Sequence, residues 1–270
     1  MAPERKGDPI WPQKMFVIEM RARRNKTGLS RNKLAEALGC TPQWLAKVET
    51  YDKLPSEGLA DDLNTYFTTD GSFHRLWEEI MDARKRALIP SGFRPLAEAE
   101  RDAVQFSIYA PLLVPGILQT EEYGRLVLNS VQRPEKAEEL LAVRLERQSI
   151  FASNEPPWLF LVIGESVLRN IPQGVREGQC KRLLDLLGDP NISMQVVPVE
   201  TQIYQGSGFQ VLSFDKSADL AYVDGAGSHG HMLTEPSEVR DLTVLFNMIR
   251  SSALSAGESK NLICTIMEGT

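Results

Sequence analysis

Twice near the start of this chain a glycine closes a short apolar-periodic segment and a hydroxyl residue opens the next: Gly28 is followed by Ser30, and Gly39 by Thr41. Glycine takes up the left-handed backbone that ends a helix, and serine or threonine accepts a backbone N–H from the turn that follows. The pattern predicts three short helices in close succession. The first runs from Lys14 to Lys26 with Phe16, Val17 and Met20 at helical spacing, and the second from Arg31 to Leu38 with Leu34, Ala35 and Leu38 on one face. The third runs from Thr41 to Glu49, with Leu45 and Val48 as its apolar stripe and Pro42 at the first helical position, where a missing N–H is harmless. A steep crossing over the joint Gly39-Cys40-Thr41 needs a small contact residue, which Ala35 supplies.

The segments Gly28-Leu29-Ser30-Arg31-Asn32-Lys33-Leu34-Ala35, Leu38-Gly39-Cys40-Thr41 and Leu45-Ala46-Lys47-Val48-Glu49 resemble the phage-repressor type of helix-turn-helix, the xenobiotic-response-element (XRE) family. The resemblance covers roughly Lys14 to Phe67 and implies a bundle of about five helices, completed by Leu54, Leu59, Leu63 and Phe67. It also implies an ion pair between Arg24 and Glu49. In this motif the N-terminal part of the recognition helix enters the major groove of double-stranded DNA, so Gln43, Trp44 and Lys47, with Pro42 beside them, are the candidates for base edges. Glutamine matches adenine, and lysine matches guanine. Arg31 and Thr41 are placed for phosphates, with Arg21 and Lys33 assisting. Arg31 stands where family members usually carry glutamine, and Pro42 and Trp44 where small polar residues are common, which leaves the target sequence open. Trp44 has two readings, a thymine-methyl contact or packing against its own helix neighbours. A bundle used for protein contacts is the alternative for the whole segment.

Charge supports the nucleic-acid reading. Between Trp11 and Lys53 nine cations oppose four carboxylates, a surplus of +5, and because the chain as a whole carries −6 the remainder carries −11. A basic head on an acidic body suits phosphate binding, although a solvated helix face has the same signature. With 270 residues, two unequal domains are expected. Hydrophobic and charged contents of 42% and 24% leave enzyme and binder equally open. Cys40, Cys180 and Cys264 lie far apart, which suggests neither disulfide nor zinc and fits a reducing cytoplasm. Met1 to Gln13 holds no apolar core of a signal peptide, and no run nears the roughly 18 apolar residues of a membrane span, so a cytoplasmic, nucleoid-associated protein is expected.

The expected organisation is a flexible arm over 1–12, the helix-turn-helix domain over 13–69, a helical linker over 70–92 and an effector-, partner-binding and dimerisation domain over 93–270. The linker helix, Asp70 to Ile89, ends at Pro90-Ser91-Gly92. Beyond it, strands are predicted at Gln105–Tyr109, Trp158–Ile163, Ser193–Val197, Phe209–Phe214, Leu220–Val223 and His231–Leu233. Helices are predicted at Leu96–Val104, Thr120–Ser130, Pro134–Ala152, Val175–Leu187, Pro236–Leu254 and Glu258–Ile266. The fold class is α+β: an all-α helix-turn-helix bundle followed by a larger mixed domain with a mainly antiparallel sheet.

Val114-Pro115-Gly116-Ile117-Leu118-Gln119-Thr120-Glu121-Glu122-Tyr123, Arg144-Leu145-Glu146-Arg147-Gln148, Glu165-Ser166-Val167-Leu168-Arg169 and Gln195-Val196-Val197-Pro198 resemble a second family. This is the set of actinobacterial, WhiJ-like regulators in which such a helix-turn-helix precedes a domain of unknown function. The resemblance implies a transcription factor, often paired with a small companion protein encoded nearby and sometimes antitoxin-like. It names no ligand. Gln119, Tyr123, Arg144, Arg147, Gln148 and Glu165 are the candidates for an effector pocket, with an interhelical ion-pair network as the alternative. Gly225 to Gly230 spells Gly-x-Gly-x-x-Gly but precedes a strand, so a hairpin loop is expected and no dinucleotide site. His229 and His231, with Asp224 or Glu235, raise a metal-dependent enzyme as a minor reading; no metal, cofactor or catalytic residue is assigned. The leading expectation is a non-enzymatic regulator that binds DNA as a homodimer and answers to an unknown small molecule or a companion protein, the antitoxin-like interaction protein being its rival.

Overall fold

The computed structural model describes residues 10–226 and 229–269. The chain divides between Ala87 and Leu88 into two units, each with its own core.

Among the described residues the first unit holds five helices: α1 (Trp11–Lys26), α2 (Arg31–Ala37), α3 (Pro42–Glu49), α4 (Glu57–Tyr66) and α5 (Ser72–Leu88). Both glycine stops are present, with φ of +66° at Gly28 and at Gly39. Ser30 accepts the Lys33 N–H at 3.3 Å and Thr41 the Trp44 N–H at 3.2 Å. The core joins Phe16 and Met20 of α1, Leu34 and Ala35 of α2, Leu45 and Val48 of α3, and Leu59, Ala60 and Leu63 of α4, with Leu54 and Phe67 packed at its margin. Two expectations are revised here. Residues 1–9 of the expected arm lie outside the described residues, and its last two, Trp11 and Pro12, already belong to α1. The segment expected as a linker contributes the fifth helix, because Phe73 and Ile80 of α5 are fully buried in this core and Phe73 meets Phe16 edge to face at 5.4 Å.

The second unit is built on a six-stranded sheet of order β3-β2-β1-β4-β5-β6: β1 (Gln105–Ala110), β2 (Trp158–Gly164), β3 (Ile192–Val197), β4 (Phe209–Ser213), β5 (Leu220–Val223) and β6 (His231–Leu233). The pairs β1–β4, β4–β5 and β5–β6 are antiparallel, so the sheet is mainly so, as expected. The pairs β1–β2 and β2–β3 are parallel. Parallel neighbours need long crossovers, and these are made by α7 (Glu121–Asn129) with α8 (Pro134–Arg147), and by α9 (Glu165–Arg169) with α10 (Gln173–Leu186); α6 (Arg94–Ala99) precedes β1. The unbroken apolar run in β2 follows from this position: Leu159, Leu161 and Ile163 face one core while Val162 and Phe160 face another. The first core lies under α10 and α12 (Ala256–Glu268), through Cys180, Leu183, Ile263 and Ile266. The second lies under α11 (Pro236–Ser251), where Phe246 and Ile249 meet Tyr109, Val162 and Phe209.

Edge strand β3 is not left open. The Val196 carbonyl accepts the Leu254 N–H at 2.9 Å, its N–H reaches Ser259 Oγ at 2.9 Å, and Gln195 Nε2 donates to the Leu254 carbonyl at 2.8 Å. The long helix expected from Pro134 breaks after Arg147 into a 3-10 turn, Gln148–Ala152, and α9 was not foreseen.

Candidate nucleic-acid interface

The short helix α3 exposes Gln43 and Lys47, one turn apart on the same face, and buries Leu45, Val48 and Glu49 on the other. Pro42 is half-buried at the helix start. The Thr41 hydroxyl is spent on the cap, which leaves it one lone pair and its proton. Trp44 is half-buried against the core, which takes up the packing reading for much of its ring. Lys33 is exposed on α2.

The far end of α3 is held by one carboxylate. Glu49 is 1% exposed, yet it meets guanidinium groups from α1 and α2. Arg31 Nε donates to Oε2 at 2.7 Å, Arg24 Nε lies 3.3 Å from Oε1 without the alignment of a hydrogen bond, and Arg21 Nη2 donates to the Glu49 backbone carbonyl at 2.7 Å. The implied Arg24–Glu49 contact is therefore present, but Arg31 makes the closer bond. A buried carboxylate without partners costs several kcal/mol, so two cations at the site are what allow Glu49 to be there. Two of the four residues assigned to phosphates, Arg21 and Arg31, thus also tie the bundle together. Arg31 bonds Glu49 through Nε alone while its side chain stays 43% exposed.

In the second unit, five of the six effector candidates come together. Gln119, nearly fully buried, donates to the Val114 carbonyl at 2.7 Å and accepts from Arg144 Nη1. Gln148 donates to the Gln119 carbonyl at 2.8 Å, and Tyr123 is buried in the same wall, where burial raises its phenol pKa. Arg147 makes a two-point bond to Glu100, Nε to Oε2 at 2.8 Å and Nη2 to Oε1 at 2.7 Å, and lies over the Phe93 ring at 4.7 Å. Burial raises the Glu100 pKa against the pull of Arg147. Glu165 stands apart: it accepts from Arg169 at 2.7 Å and from the Val199 N–H at 3.0 Å, fixing the loop after β3. Its hydrogen bonds join it to α9 and to this loop, and none of them involves the arginines of α8. Gln179, fully buried and not foreseen, bridges the Leu118 carbonyl and the Thr120 N–H from α10. Its only sequence signal is a glutamine on the apolar face of a helix. A cavity of about 370 Å³ lies elsewhere, between Gln202–Gln205 and the C-terminal end of α11 at Leu245, Met248, Ile249 and its cap Ser252.

Of the glycine-rich loop, Gly227 and Ser228 lie outside the described residues. Among the described residues no cluster of His, Cys, Asp and Glu could hold a metal ion, and no helix is long and apolar enough to cross a membrane.

Comparison with known families matches the model described as Helix-turn-helix domain to residues 16–76 and the model described as Domain of unknown function (DUF5753) to residues 93–264. The first match runs into α5, the helix that the packing assigns to the bundle. Neither a curated protein nor a solved structure matches the chain.

Proposed function

Since the chain belongs to the family of the Domain of unknown function (DUF5753) and carries a helix-turn-helix DNA-binding domain ahead of it, we propose that it is a sequence-specific transcriptional regulator of the XRE type. In this reading α3 lies in the major groove and Gln43 and Lys47 read base edges, with Trp44 and Pro42 flanking them. Arg31, Lys33, Thr41 and Arg21 face phosphates, Arg31 through the nitrogens that Glu49 leaves free. The observation that carries the reading is the exposure of Gln43 and Lys47 on one face of a helix whose opposite end is anchored through Glu49. The protein acts in the cytoplasm, on the nucleoid, as a homodimer, because one small recognition helix rarely reaches specific affinity without a second half-site. The second unit receives the signal, whether an effector or a companion protein.

Genomic fragments retained by the full chain supply the operator for the test. Gln43→Ala and Lys47→Ala are each expected to weaken binding to it by about 1 to 3 kcal/mol, and Lys33→Ala to lower the salt dependence across all sequences. Equal operator affinity for wild type and both α3 variants would remove the assignment. A second, antitoxin-like reading, in which the second unit holds a small companion protein, draws on the apolar side chains Tyr204 and Met248, 92% and 64% exposed beside the cavity on α11. Co-expression with neighbouring small proteins followed by size analysis tests it: no co-eluting partner sinks it.

A further inference from the structure

The strand order β3-β2-β1-β4 obliges the segment that joins β3 to β4, residues 198–208, to pass the carboxyl ends of β2 and β1 before it enters the sheet. Crevices beyond the carboxyl ends of parallel strands are where sheets of this kind bind ligands. The segment is held at two points. The Tyr109 hydroxyl, near the end of β1, donates to the Gln205 carbonyl at 3.2 Å, and the Glu165 carboxylate accepts the Val199 N–H at 3.0 Å. Between this segment and the C-terminal end of α11 lies the cavity of about 370 Å³, a volume at the small end of ligand pockets, which run from about 300 to 1,000 Å³.

Its lining selects for a particular guest. Ile203 and Leu245 pack against the core of Tyr109, Phe209 and Phe246, and Ile249 belongs to that core, so the floor is apolar and anchored. At the rim stand the exposed Tyr204 ring and Met248 thioether, a pair that suits an aromatic guest. Among the described residues no acid, lysine, arginine or histidine lines the cavity. Arg250, although it follows Ile249, is turned onto Gln195 Oε1 at 2.7 Å and the Phe160 ring at 5.0 Å. An ion entering here would give up water without meeting an opposite charge, so the guest is uncharged. Two amides remain to orient it. The Tyr204 hydroxyl donates to Gln202 Oε1 at 2.9 Å, and Gln205 Nε2 to the Ser207 carbonyl at 3.1 Å, which leaves the Gln202 amide nitrogen as a donor and the Gln205 amide oxygen as an acceptor.

We infer that this cavity is the receptor site of the second unit for an uncharged aromatic small molecule carrying one hydrogen-bond acceptor and one donor. A protein partner is the poorer fit. Specific protein interfaces bury upwards of about 1,200 Å², whereas the exposed large apolar side chains that line this cavity are Tyr204 and Met248. The inference deepens the signal-receiving role proposed for the second unit and rests on that reading only for its consequence at DNA.

The test is fluorescence titration of the full chain with N-phenyl-1-naphthylamine, an uncharged aromatic amine that brightens in apolar sites. Saturable binding at one site per chain is expected. Benzamide, which brings an acceptor and a donor, should displace it, and benzoate, of the same shape but charged at neutral pH, should not at the same concentration. Ser252→Trp, which plants an indole at the exposed wall of the cavity, should abolish binding. Tyr204→Ala, at an exposed position whose loss leaves the core intact, should weaken it about three- to tenfold. No saturable signal, equal binding by wild type and Ser252→Trp, or displacement by benzoate as readily as by benzamide overturns the inference. Retention of a small companion protein that Tyr204→Ala releases, with no probe signal from the chain alone, gives the face to the rival reading. Operator affinity with and without saturating probe reads the regulatory consequence separately: unchanged affinity removes that role and leaves the site standing.

Discussion

At Glu49 the chain places a carboxylate in an apolar core and surrounds it with guanidinium groups. Breaking a buried pair from the carboxylate side leaves two cations facing each other, whereas removing Arg31 leaves Arg24 to answer the charge. Glu49→Ala is therefore expected to destabilise the first unit by about 3 kcal/mol or more, and Arg31→Ala by about 1 kcal/mol, measured by urea unfolding. Equal losses would mean that the carboxylate is not the hub. The resemblance to a known motif gave the Arg24–Glu49 contact, but Arg31 as a second partner was not legible, because nothing local relates residues eighteen positions apart. The same holds for Arg147 and Glu100, whose pairing depends on how α8 packs beside α6. Glu165, grouped with the α8 arginines because it follows a buried strand, makes its hydrogen bonds to Arg169 and the Val199 N–H, partners that no local pattern announces.

Helices α2 and α3 begin and end where their capping chemistry says, and that is why their bounds were readable almost to the residue, whereas α1, which no side chain caps, begins three residues before the expected Lys14. Gly39 tests this directly. Its φ is +66° and no atom lies within 4 Å of where a Cβ would sit, so Gly39→Ala isolates backbone strain from crowding. The expected loss is about 1 to 2 kcal/mol, and a loss near zero would mean that the α2–α3 joint relaxes freely. Between α4 and α5, His74 Nδ1 lies 2.8 Å from Asp61, and this hydrogen bond, foremost, raises the His74 pKa above 6.5. A raised folded value means that the stabilisation is complete below the unfolded pKa and fades as pH climbs past the folded one. The melting temperature of the chain should fall slightly as pH rises past the ordinary imidazole range, and His74→Gln should flatten that slope. The strands were legible from alternation and apolar runs, but α9 is too short to show a periodicity, and the break after Arg147 follows from packing that no local pattern announces.

For the whole molecule, the decisive correction is where the first unit stops. Phe73 and Ile80 belong to its core, so a fragment covering 10–88 is expected to unfold cooperatively. One covering 10–69 loses two fully buried side chains, each deletion costing several kcal/mol, and should show no cooperative transition by circular dichroism. A folded shorter fragment would restore α5 to the role of spacer. Composition could not make this distinction, because α5 is amphipathic in either role. Nor could it reveal the parallel half of the sheet, since β2 reads as a buried strand whatever its direction. Because the clamp at Glu49 sits at one end of α3 and the solvent-facing Gln43 and Lys47 project from its other side, stiffness and vocabulary are encoded by different positions. On the proposed reading, substitutions at the outward letters would change what this rod recognises without reopening the clamp that fixes its tilt.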